Sequence, residues 1–137
     1  MFFNKKQKDK EENNYSKVAA LLIYAAKIDQ NYSKEEEEII KKTMLEIGAN
    51  KESIENIIFV AKEIEASSNQ ILEFTQEVKN MNIKDKIKII ESLWKIIYSN
   101  KEADIYETNL MRRLAGLLYI DNKIIGDIKE KIKKNNS

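Results

Sequence analysis

Between Tyr15 and Ile132 the apolar positions recur at steps of three and four, the period of helices with one face turned inward. The first stripe is Tyr15, Val18, Ala19, Leu22, Ala25 and Ala26. A second helix starts after Ser33, turns Ile39, Ile40, Thr43, Met44 and Ile47 inward, and stops at Gly48, a residue suited to the left-handed position past a helix end. Asn50 caps a third, with Ile54, Ile57, Ile58, Ala61 and Ile64 inside; Ser67 and Ser68 open a fourth, with Ile71, Phe74 and Val78. Asn82 caps a fifth, bearing Ile87, Ile90, Leu93, Trp94 and Ile97, and Asp104 a sixth, bearing Leu110, Met111, Leu114, Leu117 and Leu118. Asp121 begins a seventh, with Ile124, Ile125, Ile128 and Ile132. Each cap oxygen can accept from a backbone N–H that the first helical turn leaves unpaired. The pattern predicts an all-α fold, a single compact bundle of about seven short helices over residues 14–133. A flexible polar tail at 1–13 and a polar end at 134–137 flank it.

The two halves echo each other. With Asp29 set against Asn100, Val18 meets Ile89, Leu22 meets Leu93, Ala25 meets Ile96 and Ile39 meets Leu110. Both stretches read as an apolar helix, a polar loop and a second apolar helix, which predicts a pseudo-repeated helix–loop–helix with corresponding loops.

Composition narrows the chemistry. The 137 residues include three glycines and no proline, which disfavours folds built on tight hairpins. Without cysteine or histidine there is no disulfide, zinc–thiolate cluster, thiol nucleophile or imidazole base. Any bound metal must take oxygen ligands, which suits magnesium, calcium or manganese. Lys plus Arg number 24 and Asp plus Glu 23, with the signs interleaved, so nothing resembles a surface built to track nucleic-acid phosphates. No apolar run reaches transmembrane length, and Met1-Phe2-Phe3 passes straight into lysine-rich sequence without a signal-peptide core. The expected location is the cytoplasm, with at most a weak peripheral contact at the inner face of the membrane through Met1–Phe3 and the nearby lysines. Trp94 reads as core, and Tyr98 and Tyr106 as boundary tyrosines beside the second loop.

The first loop reads Asp29-Gln30-Asn31-Tyr32-Ser33-Lys34-Glu35-Glu36-Glu37-Glu38 and the second Asn100-Lys101-Glu102-Ala103-Asp104-Ile105-Tyr106-Glu107. Both carry an Asp or Asn, an oxygen-bearing residue four positions later and a Glu seven later. This pattern resembles the TerB-like family, whose halves each place a motif of the type A-x-A-D-G-x-[hydrophobic]-x-x-x-E between two helices. Ala26–Glu36 and Ile97–Glu107 occupy those places, and the likeness spans residues 15–132. The family is also similar to the N-terminal region of the membrane-anchored DnaJ-like co-chaperone DjlA. The J-domain signature His-Pro-Asp is impossible here. The chain departs from the family pattern at Gln30 and Lys101 in place of glycine, and at Asn100 in place of the second aspartate.

The resemblance implies a non-catalytic binding or scaffold module in stress responses of the tellurite-resistance type, working through protein partners near the membrane. Asp29, Glu36, Asn100 and Glu107 are the candidate site, an acidic face for a basic partner segment or for a divalent cation. A structural alternative stands beside it: Ser33 with Glu36 and Asp104 with Glu107 have capping-box spacing, and the run Glu35–Glu38 complements a helix dipole. Asp29 and Asn100, at the C-terminal ends of helices, are not explained by capping. Asp29-x-Asn31-x-Ser33 imitates an EF-hand start, but Lys34 and Ile40 stand where that loop needs glycine and glutamate.

Overall fold

The computed structural model describes the backbone of residues 2–29, 32–67, 72–99 and 105–135, with side chains described throughout except at 2–11, 29, 72 and 105–107. Among the described residues it contains seven α-helices and no strand. These are α1 (Phe2–Ala26), α2 (Lys34–Glu46), α3 (Ile54–Ser67), α4 (Leu72–Lys79), α5 (Ile83–Tyr98), α6 (Ile105–Leu117) and α7 (Asn122–Asn135). Single 3₁₀ turns at Lys27–Asp29 and Lys51–Ser53 lead out of α1 and into α3.

α1 is the central helix. Ala19 through Ile23 are wholly inaccessible, and Val18, Ala25 and Ala26 nearly so. The sequence predicts one buried stripe; the structure buries Ala20, Leu21 and Ile23 as well, because α2, α3, α4 and α5 surround this helix. A segment apolar on all sides is stable only when neighbours cover all sides. Ser16, buried among them, donates from Oγ to the Ile57 carbonyl of α3 at 3.2 Å. The helix also runs back to Phe2, where a polar tail to residue 13 was expected. No proline or glycine interrupts Phe2–Asn13, so a helix held by its core can propagate outward one hydrogen bond per residue. Glu12 fixes the junction by accepting from Ser53 Oγ at 2.6 Å and Asn56 Nδ2 at 3.3 Å.

The caps follow expectation at α2, α5 and α7. Ser33 and Glu36 form a complete capping box, Asn82 accepts from the Asp85 N–H, and Asp121 accepts from the Lys123 N–H. Asn50 has the extended backbone of a cap residue, but its side chain makes no capping bond; the 3₁₀ turn Lys51–Ser53 intervenes. Ser67 closes α3, its hydroxyl donating back to the Ile64 carbonyl, so it does not open α4. Ser68–Ile71 and Asp104 lie outside the described residues. Trp94 is core, its indole N–H donating to the Ile125 carbonyl of α7 at 3.2 Å. Tyr98 stacks on Trp94 and is buried, deeper than a boundary position.

The internal echo is present in the geometry. α1 packs on α3 as α5 packs on α7, and α2 meets α3 as α6 meets α7. At the α2–α3 corner Ile47, Gly48 and Ala49 donate from their N–H groups to the carbonyls of Thr43, Leu45 and Met44 at 3.0, 3.2 and 2.9 Å. At the α6–α7 corner Leu118, Tyr119 and Ile120 donate to Leu114, Gly116 and Ala115 at 2.8, 3.4 and 3.0 Å. Every donor and acceptor lies 71 positions from its counterpart, the shift that sets Asp29 on Asn100. The last two bonds of each set make a Schellman closure, which needs a left-handed residue in its middle; Gly48 (φ 114°) and Tyr119 (φ 56°) supply it. The same shift relates two braces. Tyr15 Oη, from α1, lies 3.5 Å from the Ile47 carbonyl, and Lys86 Nζ, from α5, donates to the Leu118 carbonyl at 2.9 Å.

Candidate functional site

The first motif loop enters α2 through a corner locked by charge. Ser33 Oγ accepts from the Glu36 N–H at 3.1 Å, while Glu36 Oε1 accepts from the Ser33 N–H at 2.8 Å. Glu36 is 1 % exposed, so its carboxylate faces the fold and not an incoming partner. One residue on, Glu37 Oε1 meets Lys62 Nζ of α3 at 2.6 Å and accepts from Tyr32 Oη at 3.3 Å. Lys62 also stands 5.9 Å from the Tyr32 ring centroid. Lys41 gathers Glu37, Glu38 and Glu55 within 4.0 Å. Lys27 in the 3₁₀ turn reaches Glu65 at 2.9 Å.

The Lys62 hydrogen bond holds the Glu37 carboxyl below the usual carboxylate range. Burial, then the charge of Glu37, raises the Tyr32 phenol well above its ordinary value. The ion pair with Glu55 raises Lys41. Glu37, Glu38, Lys41 and Lys62 are thus partnered within the molecule.

Of the four candidate site residues, only the side chain of Glu36 is described. Asp29 ends the 3₁₀ turn after α1 and Glu107 lies in the first turn of α6, with neither side chain among the described residues; Asn100 falls outside them altogether. The same holds for Phe2, Phe3 and Tyr106, whose side chains are not described. The described residues therefore contribute one engaged, buried carboxylate to the proposed acidic face. No group of three acidic side chains able to hold an ion converges among them.

A feature the sequence reading missed lies beside these loops. Tyr24 near the end of α1 and Ile28 in the 3₁₀ turn after it, with Asn109, Leu110 and Arg113 from α6, line an open cleft of about 420 Å³. The 71-position shift carries Tyr24, Ile28 and Leu110 close to a second cleft: Lys95, Ser99 and Ile39 line it, together with Glu35 and with Ile132 and Asn135 of α7. That cleft measures about 220 Å³.

The TerB family model, described as tellurite resistance protein TerB, matches residues 16–130, nearly the span over which the helices and the repeat are seen. The chain belongs to the TerB family. Comparison with curated proteins and with solved structures finds no significant match. The all-α architecture expected of a TerB domain is the one observed. Among the described residues of this TerB domain, no helix is long and apolar enough to cross a membrane.

The motif glutamate of the first half is thus a structural residue, as its capping-box spacing indicates. What the loop pattern could not show is Lys62, contributed by a helix two elements later. The cleft had a faint sequence signal: Arg112 and Arg113, adjacent on α6, are the only arginines in a lysine-rich chain.

Proposed function

We propose that this TerB domain is a non-catalytic binding or scaffold module, acting in a stress-response complex of the tellurite-resistance type at or near the membrane. The observation that carries this reading is the state of the first motif corner. Ser33 and Glu36 cap each other, and Glu37 and Glu38 are paired with Lys62 and Lys41, so these side chains form a pre-organised edge. A catalytic constellation instead needs acid–base groups with shifted ionisation converging on a pocket that can hold substrate. Here the shifted groups, Tyr32, Glu37 and Lys41, are partnered to one another or to neighbouring side chains, and none of them lines the larger cleft.

A pre-organised edge suits recognition because little ordering entropy is lost when a partner docks. In this reading Asp29 and Glu107, at the two corresponding loops, present the negative charge that a basic partner segment meets. The test is affinity capture from the native cell with wild-type protein and with the Asp29→Ala/Glu107→Ala double variant, alongside a thermal melt of both. Loss of the captured partner with an unchanged melt is expected. Equal capture by both proteins would remove the acidic loops from the function.

A further inference from the structure

The cleft between α1 and α6 carries a charge that no described residue pairs. Every ion pair among the described residues is made by a lysine; Arg112 and Arg113 are exposed and make none among those residues. Arg113 stands at the rim of a floor made by Leu110, which is buried, and by Tyr24 and Ile28, which are half-buried. A guanidinium fork matches a carboxylate in two parallel hydrogen bonds, which an ammonium cannot do. The volume lies at the small end of clefts that hold ligands, enough for one or two apolar side chains.

The related cleft in the other half shows what such a place accepts. There the wall beside Ile39, the counterpart of Leu110, is completed by Ile132 and Asn135, an apolar and a polar residue from the last turns of amphipathic α7. The repeat would supply Ala61 and Ile64 of α3 to the larger cleft, but neither lines it. One half thus has a helix end at its cleft, and the other is open with an arginine at the rim.

We infer that the Tyr24–Leu110 cleft receives an acidic amphipathic helix of a partner protein, one apolar side chain resting on Leu110 and a carboxylate pairing with Arg113. This deepens the binding-module reading and rests on it, but it assigns the contact to Tyr24, Ile28, Leu110 and Arg113 in place of Asp29 and Glu107.

The probe is a fluorescein-labelled peptide of about four helical turns repeating Glu-Leu-Leu-Glu, compared with its Lys-Leu-Leu-Lys counterpart by fluorescence anisotropy. The Glu peptide should bind and shift the amide signals of Tyr24, Ile28 and Leu110, while the Lys peptide should not bind. Arg112→Glu/Arg113→Glu should weaken the Glu peptide about tenfold or more, the scale of one charge-assisted hydrogen bond, and should admit the Lys peptide. Both arginines are exposed, so the swapped protein should keep its fold, which a melt verifies. No anisotropy change with the Glu peptide overturns the inference, as does binding indifferent to the charge swap. Binding of phosphatidylglycerol vesicles without binding of the peptide also overturns it, in favour of a lipid surface. The Asp29→Ala/Glu107→Ala variant should bind the peptide at least as tightly as wild type, since it removes no lining residue and only takes away negative charge. If the peptide fails while that variant still loses its captured partner, only the cleft assignment falls and the module reading stands.

Discussion

The α2–α3 and α6–α7 corners make the same three backbone hydrogen bonds, yet they fill the space above those bonds in opposite ways. In the first corner Tyr15 lies across the turn, with its hydroxyl 2.9 Å from the point where a Cβ on Gly48 would stand. With φ at 114°, beyond the left-handed region that other residues tolerate, that position admits only glycine. In the second corner the brace is an ammonium that reaches past the turn to the Leu118 carbonyl. The left-handed residue there is Tyr119 at φ 56°, 71 % exposed, with Lys79 Nζ 4.7 Å from its ring centroid. The residue at a helix-ending turn is therefore chosen by what crosses it as well as by the turn itself.

The largest effect should come from exchanging the two solutions. Gly48→Ala places a Cβ against Tyr15 Oη at an unfavourable φ and should cost about 1–3 kcal/mol in urea denaturation. Tyr15→Phe in the same background removes the atom nearest that Cβ and should recover part of the loss. Tyr119→Gly, the matching change in the second half, relieves a left-handed residue but gives up a cation–π contact and gains unfolded-chain entropy, so it should shift stability by no more than about 0.5 kcal/mol. Equal costs for Gly48→Ala and Tyr119→Gly would break the comparison.

The next effect belongs to the braces. Lys86 is 8 % exposed and donates to the Leu118 carbonyl at 2.9 Å, whereas the Tyr15 oxygen is 3.5 Å from its acceptor, the outer limit of a hydrogen bond. Lys86→Met keeps the packed stem and deletes the donor. It should cost about 1–2 kcal/mol, less than the full worth of a charged hydrogen bond because the buried charge is removed too. Tyr15→Phe alone should cost less than half of that. A melt in which both substitutions cost the same would show that distance and charge do not rank these braces.

Much of this was legible in the chain before any coordinates. Seven stripes gave seven helices; Ser33 with Glu36, Asn82 and Asp121 marked true starts; and setting Asp29 on Asn100 gave the register that the corner hydrogen bonds obey. The braces were hidden because they join side chains to carbonyls far along the chain, and a lysine in a helix reads as solvent-facing until the distant turn is placed beside it. The burial of Val18–Ile23 on every side of α1 was hidden too, since a stripe counts apolar positions on one face and cannot count neighbours. For the candidate site, spacing alone found the Ser33–Glu36 box but could not say that Glu36 would be sealed inside. Nor could it place Lys62 on Glu37, or gather Tyr24, Ile28 and Leu110 under Arg113.

The smallest difference between the halves is electrostatic and should appear with pH. Glu37 has Thr108 as its counterpart, so the ionic lock with Lys62 belongs to the first half alone. The folded state depresses the Glu37 ionisation, so its contribution is present above the unfolded value of about 4.3 and is lost as pH falls through the lower folded value. Tyr32 acts on the alkaline side with the opposite sense. The folded state holds its proton more tightly than the unfolded chain, so stability falls as pH rises past about 10. The pair is partly solvated and should be worth about 0.2–1 kcal/mol. Below about pH 4, the amides from Tyr32 to Glu38 should shift together while those from Thr108 to Leu114 stay in place. Lys62→Met should abolish that acid step in the first half. An acid profile that Lys62→Met leaves untouched would mean that the corner is held by its capping box and not by charge.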